Sequence, residues 1–120
     1  MTRILIVDDS RFARNRLKLI FERGGHEIVG DAENGEQALV MFDELRPDLV
    51  TLDYLMAGQN GGEVLEEIMR HDPKARVIMV SGSGDHNIER ELLSAGAKLF
   101  VTKLRSQEYF LRAVDQVMKV

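Results

Sequence analysis

Five polar side chains close short apolar runs in this sequence. Asp8 and Asp9 follow Ile4-Leu5-Ile6-Val7, and Asp53 follows Leu49-Val50-Thr51-Leu52. Ser81 follows Val77-Ile78-Met79-Val80, and Lys103 follows Leu99-Phe100-Val101-Thr102. Taken singly, each has an ordinary explanation. Aspartate is a favoured helix N-cap, serine a turn former, and lysine a solvated surface residue. Brought together, they need another explanation. Three carboxylates in one place repel and raise one another's pKa, so a fold that gathers them has reason to hold a cation there. Oxygen donors without His or Cys suit a hard ion, Mg²⁺ or Mn²⁺. A lysine beside an acidic metal site points to an anion as well. A phosphoryl group between metal and lysine fits, with the Ser81 hydroxyl donating to a phosphoryl oxygen. A carboxylate nucleophile in such a site gives an acyl phosphate.

The elements that would position these groups are legible in the hydrophobic periodicity. Short apolar runs bounded by turn residues predict strands over Arg3–Val7, Glu27–Asp31, Leu49–Leu52, Arg76–Val80 and Leu99–Thr102. Three of the runs have almost no polar alternation, as expected of parallel strands covered on both faces. Amphipathic helices lie between them. Their apolar faces are Ala13, Leu17, Ile20 and Phe21; Ala38, Phe42 and Leu45; Leu65, Ile68 and Met69; Ile88, Leu92 and Ala95; and Phe110, Ala113, Val114 and Val117. Gly24-Gly25, Asn34-Gly35, Pro47, Gly61-Gly62, Asp72-Pro73 and Gly96 mark the boundaries. Five strand–helix units in one domain, residues 1–120, predict an α/β fold with a five-stranded parallel doubly wound sheet and five helices. The right-handed crossover rule leaves few strand orders, and with one layer of helices on each face 2-1-3-4-5 is the expected one, by analogy with known doubly wound sheets. Ligands bind at the carboxyl ends of such strands, beside the switch point between strands 1 and 3. The five polar residues lie at those ends.

Composition narrows the function classes. The chain has 120 residues, 44% of them apolar, and no cysteine. It therefore has neither a disulfide framework nor a thiolate metal site. A net charge of −4 with both signs dispersed argues against direct nucleic-acid binding. No apolar run reaches the ~18 residues of a membrane span, and the opening Met1–Asp9 run is too short for a signal peptide. A cytoplasmic location is the expectation. His26, His71 and His86 are far apart, form no ligand motif, and are expected on the surface.

The same residues carry a family resemblance along the whole chain. Ile4-Leu5-Ile6-Val7-Asp8-Asp9, the approach Arg46-Pro47-Asp48-Leu49-Val50-Thr51-Leu52-Asp53, Asn60-Gly61, Ser81, Ala95-Gly96-Ala97 and Lys103 fall in order at the right strand ends. Together they resemble the receiver domain of two-component response regulators, the CheY-like branch of the flavodoxin-like fold. The resemblance implies a phosphoprotein of a phosphorelay, with Asp53 as phospho-acceptor. Asp9 would bind Mg²⁺ directly and Asp8 mainly through water, and the Leu55 backbone carbonyl would be a further metal ligand. Lys103 would contact the phosphoryl group, while Ser81 and Phe100 would form the switch. The donor would be a phosphohistidine on a sensor histidine kinase or phosphotransfer protein. The output target would use the face of the fourth helix, fifth strand and fifth helix, including His86, Arg90, Lys98, Phe100 and Gln107.

The sequence departs from the family at Met56-Ala57, where the family often has Met-Pro. It departs again at Leu104, where the family often has proline, commonly after a cis bond. A cis bond before a non-proline residue costs ~2.5–4 kcal/mol, so the Lys103–Leu104 bond is expected to be trans. Leu55 and Ser83, two residues past Asp53 and Ser81, imply a comparatively long-lived acyl phosphate. Rival readings fare worse. An aspartyl phosphatase wants a second Asp where Leu55 stands, and a nucleotide binder wants G-x-x-x-x-G-K-[ST], which is absent. Turnover of external substrates is therefore not expected. The alternative kept is a degenerate receiver, a phosphorylation-independent interaction module.

Overall fold

The β-branched and aliphatic runs pair as five parallel strands. In the computed structural model, which describes residues 1–82 and 86–119 save the His86 side chain, these are β1 (Arg3–Val7), β2 (Glu27–Ala32), β3 (Leu49–Asp53), β6 (Val77–Ser81) and β7 (Leu99–Thr102). A two-stranded antiparallel hairpin, β4 (Leu55–Met56) and β5 (Gln59–Asn60), follows β3. The helices are α1 (Arg11–Arg23), α2 (Gly35–Leu45), α3 (Gly61–His71), α4 (His86–Ser94) and α5 (Gln107–Met118). The sheet order is β2-β1-β3-β6-β7, which is the expected 2-1-3-4-5 once the hairpin strands are set aside. Among the described residues, no helix is long and apolar enough to cross a membrane.

Strand alternation divides the core into two layers. Ile4, Ile6, Leu49, Ile78, Val80 and Val101 pack with Leu17, Ile20, Phe21, Phe110, Val114 and Val117 of α1 and α5. Leu5, Val7, Val50, Leu52, Val77 and Met79 pack with Phe42, Val64, Leu65, Ile68 and Leu92 of α2, α3 and α4. Phe21 and Phe110 meet edge to face, 6.3 Å between centroids, at the α1–α5 seam. Because both faces of the central strands are apolar, alternation alone does not choose their register. The terminal acids do. A one-residue slip would drag Asp8 or Asp53 into a dry layer, at a cost of several kcal/mol for an unpaired charge.

Several boundaries differ from expectation. β2 and β3 each run one residue further, and β6 both starts and ends one residue later than Arg76–Val80, so that Asp53 and Ser81 belong to their strands. Gly61-Gly62 does not precede the third helix but forms its first turn, with Asn60 as N-cap accepting from the Glu63 N–H at 3.0 Å. Ala95, expected on the apolar face of the fourth helix, is exposed because α4 ends at Ser94. Ala97 fills that part of the core instead. The histidines are not uniformly surface residues. His71 is exposed beside Asp43, whereas His26 is half-buried and its Nδ1 accepts from the Thr2 N–H at 3.2 Å.

Candidate functional site

Register carries the acids to one end of the sheet. Val7 pairs with Leu52, so the next residues of β1 and β3, Asp8 and Asp53, stand side by side. Both are buried, each 2% exposed. Asp8 continues the pleat of Ile4 and Ile6, and Asp53 that of Leu49, so both side chains lie on the α1–α5 side of the sheet. Asp9 is exposed, and carboxylate oxygens of Asp8, Asp9 and Asp53 lie within 4.8 Å of one another.

Neither Asp8 nor Asp9 caps the first helix. Ser10 does so, its Oγ accepting from the Ala13 N–H at 3.2 Å. Asp8 Oδ1 accepts from the Ser10 N–H at 2.9 Å, which fixes that carboxylate at the turn. Asp9 Oδ2 accepts from the Ala57 N–H at 3.1 Å, joining β1 to the β4–β5 hairpin. That hairpin turns at Gly58, whose φ of 81° suits glycine. It returns so closely that the Gly61 N–H donates to the Tyr54 carbonyl at 2.6 Å. A Cβ at Gly61 would stand 2.3 Å from the Asp53 carbonyl oxygen.

Lys103 closes the site. Its Nζ lies 3.0 Å from Asp8 Oδ2 and 3.3 Å from Asp53 Oδ2. Both contacts are ion pairs, and the buried Asp53 Oδ2 has no other polar partner among the described residues. Burial, and then the charge of Asp8, push the Asp53 carboxyl up from 3.8 to about 6, against the opposing pull of Lys103. Burial would lower the Lys103 ammonium, but its hydrogen bond to Asp8 and the charges of Asp53 and Asp8 outweigh this and raise it above 10.5. The Lys103–Leu104 bond is trans, as the missing proline leads one to expect. Leu104 is 94% exposed.

Ser81 is buried at the end of β6, level with Thr102 of β7. Following Val77 and Met79, it belongs to the other face of the sheet, the face of Phe100. Phe100 is half-buried against the α4-side core. Leu55 is 65% exposed at the mouth of the site. Arg90, Lys98 and Gln107 are exposed, while Ser83 and the His86 side chain lie outside the described residues.

Two groups at the site escaped the sequence reading. Arg14 of α1 donates through Nη1 to the Asp8 carbonyl at 2.7 Å and through Nε to Asp31 at 3.1 Å. Arg16 donates to the carbonyls of Lys103 and Arg105. Their partners lie up to 89 residues away, so no local spacing announces them. The hairpin did leave a signal: Asn60 three residues before Glu63 is capping-box spacing.

All-oxygen donors fit a hard divalent ion, and the buried Asp53 carboxyl, raised among other acids, would gain from one.

The chain is 42% identical over 118 residues to Protein CcdB of Bacillus subtilis, covering 98% of each. It is 40% identical over 117 residues to Chemotaxis protein CheY of Thermotoga maritima, again covering 98% of each. It superposes with a TM-score of 0.94 on a chain of the CheX–CheY–BeF3–Mg²⁺ complex from Borrelia burgdorferi, at 36% identity over 98% of this chain and 89% of that one. Residues 4–115 match the family model of the response regulator receiver domain, and the chain belongs to that family.

Proposed function

We propose that the chain accepts a phosphoryl group from a phosphohistidine onto Asp53 and changes conformation in consequence. Receiver domains of this family are Mg²⁺-dependent signalling modules of two-component systems rather than enzymes that turn over external substrates. The observation that carries the finer reading is the buried Asp53 carboxylate, held between two further acids and the Lys103 ammonium. The BeF3 and Mg²⁺ in the Borrelia complex support it by analogy.

In the reaction, an Asp53 carboxylate oxygen attacks phosphorus. The P–N bond of the donor histidine breaks, an acyl O–P bond forms, and the imidazole leaves with the electron pair and takes up a proton. Asp8, Asp9, Asp53 and the Leu55 carbonyl would hold Mg²⁺, or Mn²⁺ in its place. When bound, that ion offsets the carboxylate charge and the charge of the phosphoryl oxygens. Lys103 balances the remaining anion. Ser81 donates its hydroxyl to a phosphoryl oxygen, and Phe100, on the same face of the sheet, moves into the space that Ser81 leaves. Phenylalanine has no phenol hydroxyl, so its outward state gains no hydrogen bond of that kind. The face of α4, β7 and α5 then presents a changed surface to an output partner. The donor is a sensor histidine kinase or a phosphotransfer protein, in the cytoplasm.

The test is intact mass after treatment with acetyl phosphate and Mg²⁺. The expected result is one phosphoryl increment on the wild type and none on a folded Asp53→Asn variant. An unlabelled wild type would favour a phosphorylation-independent receiver, and full labelling of the variant would move the acceptor elsewhere.

A further inference from the structure

We propose that Arg16 is a positioning residue for Lys103, holding the loop that delivers the lysine to the acidic site. The inference deepens the reading of Asp53 as phospho-acceptor and rests on it for its kinetic consequence.

Lys103 is poorly anchored by its own neighbourhood. It follows β7, a four-residue strand at the edge of the sheet, paired only with β6. Its N–H donates to the Ser81 carbonyl at 2.8 Å. The next three residues are exposed, and Leu104 contributes no apolar anchor.

Arg16 reaches this loop from the middle of α1. Nη1 donates to the Lys103 carbonyl at 2.9 Å, and Nη2 to the Arg105 carbonyl at 2.7 Å. The two bonds straddle Leu104 and fasten both sides of it. A planar guanidinium presents paired donors in a fixed fork, which an ammonium does not. These are charge-assisted bonds, roughly twice as strong as neutral ones. The guanidinium itself sits 5.6 Å from the centroid of the Phe110 ring. Phe110 is 2% exposed and belongs to the α1–α5 core. The loop is thus tied to the buried core of that layer. The lysine stem can rotate, but its Cα is held where Nζ spans Asp8 and Asp53.

The experiment uses the full chain. Arg16→Met keeps an unbranched apolar side chain at that place and removes both donors together with the cation over Phe110. Arg16→Lys keeps the charge and loses the fork. Labelling by acetyl phosphate at saturating Mg²⁺ is expected to slow between about 10- and 100-fold in Arg16→Met, the scale for a catalytic group displaced by an ångström. Arg16→Lys is expected to recover only part of the rate. The Cε–Hε NMR signal of Lys103 is expected to move toward that of solvent lysines, with the amides of Asp8 and Asp9 unmoved. A wild-type labelling rate in Arg16→Met overturns the proposal. So does a slowed rate with the Lys103 signal in place, which would be a structural effect only. Should Arg16→Met melt below the assay temperature, Arg16→Lys carries the same two readouts. If the wild type takes no label, the acceptor reading fails by itself, and the Lys103 signal still decides whether Arg16 places the lysine.

Discussion

Asp8 and Asp53 stand at the ends of β1 and β3, interior strands paired on both sides, whereas Lys103 leaves β7, an edge strand, and is held by a loop and by a guanidinium from α1. The acids are set by backbone register and cannot separate without breaking the sheet. The lysine is set by one backbone bond at the end of an edge strand and by side-chain contacts, and can shift without breaking the interior of the sheet. Repulsion among the carboxylates is therefore built in; Lys103 offsets part of it, and an arriving cation or proton relieves the rest. Ser81 and Phe100, the two groups proposed to move, share the opposite face of the sheet on β6 and β7. On the proposed reading, fixed charge lies on one face and the switch on the other.

The comparison can be broken most sharply at Asp53. Its folded pKa of about 6 lies above the ordinary 3.8, so the folded state binds this proton more tightly than the unfolded chain. Its contribution to stability is complete below about pH 4 and is lost as pH rises through about 6, a loss on the order of 3 kcal/mol in metal-free protein. Lys103, raised above 10.5, keeps its contribution through this window and does not cancel the trend. Urea unfolding in a chelator at pH 5 and at pH 8 is expected to show the decline. Asp53→Asn is expected to flatten it and to be the more stable protein at the higher pH.

A cation should relieve the same repulsion. Mg²⁺ at about a hundredfold excess over its Kd is expected to add about 2.7 kcal/mol, read as a rise in Tm. Asp9→Ala is expected to remove most of the rise, and an equal rise in that variant would exclude Asp9 from the metal site. The rigidity of the acid side is probed by Gly61→Ala. Its new Cβ would overlap the Asp53 carbonyl oxygen, so the hairpin must shift, at about 1–3 kcal/mol in urea unfolding. An unchanged midpoint would show that the hairpin yields freely. The smallest effect concerns Leu55, exposed at the mouth of the site and unable to orient a water. Leu55→Asn is expected to shorten the acyl phosphate half-life roughly severalfold, followed by the decay of the phosphorylated mass. No shortening would remove Leu55 from the path of the hydrolytic water.

Much of this molecule was legible in one dimension because its signals are local. Unbroken runs such as Ile4–Val7 and Val77–Val80 mark strands buried on both faces. Helical spacing in Leu17, Ile20 and Phe21 marks a core face, and a polar residue ending each run marks the ligand edge. The strands, the meeting of Asp8, Asp9, Asp53 and Lys103 at their ends, and the trans bond before Leu104 are legible from such local signals. Tertiary structure alone decided the rest. That Ser10 and not Asp8 or Asp9 caps α1 depends on where the sheet holds the two acids. That Gly61 lies inside α3 depends on the approach of the hairpin to the Asp53 backbone. Arg14 and Arg16 look like any basic residues on a helix. Apart from the Asp31 carboxylate that Arg14 also binds, their partners are carbonyls just past β1 and β7, and every residue carries a carbonyl, so only the folded chain selects which ones they bind.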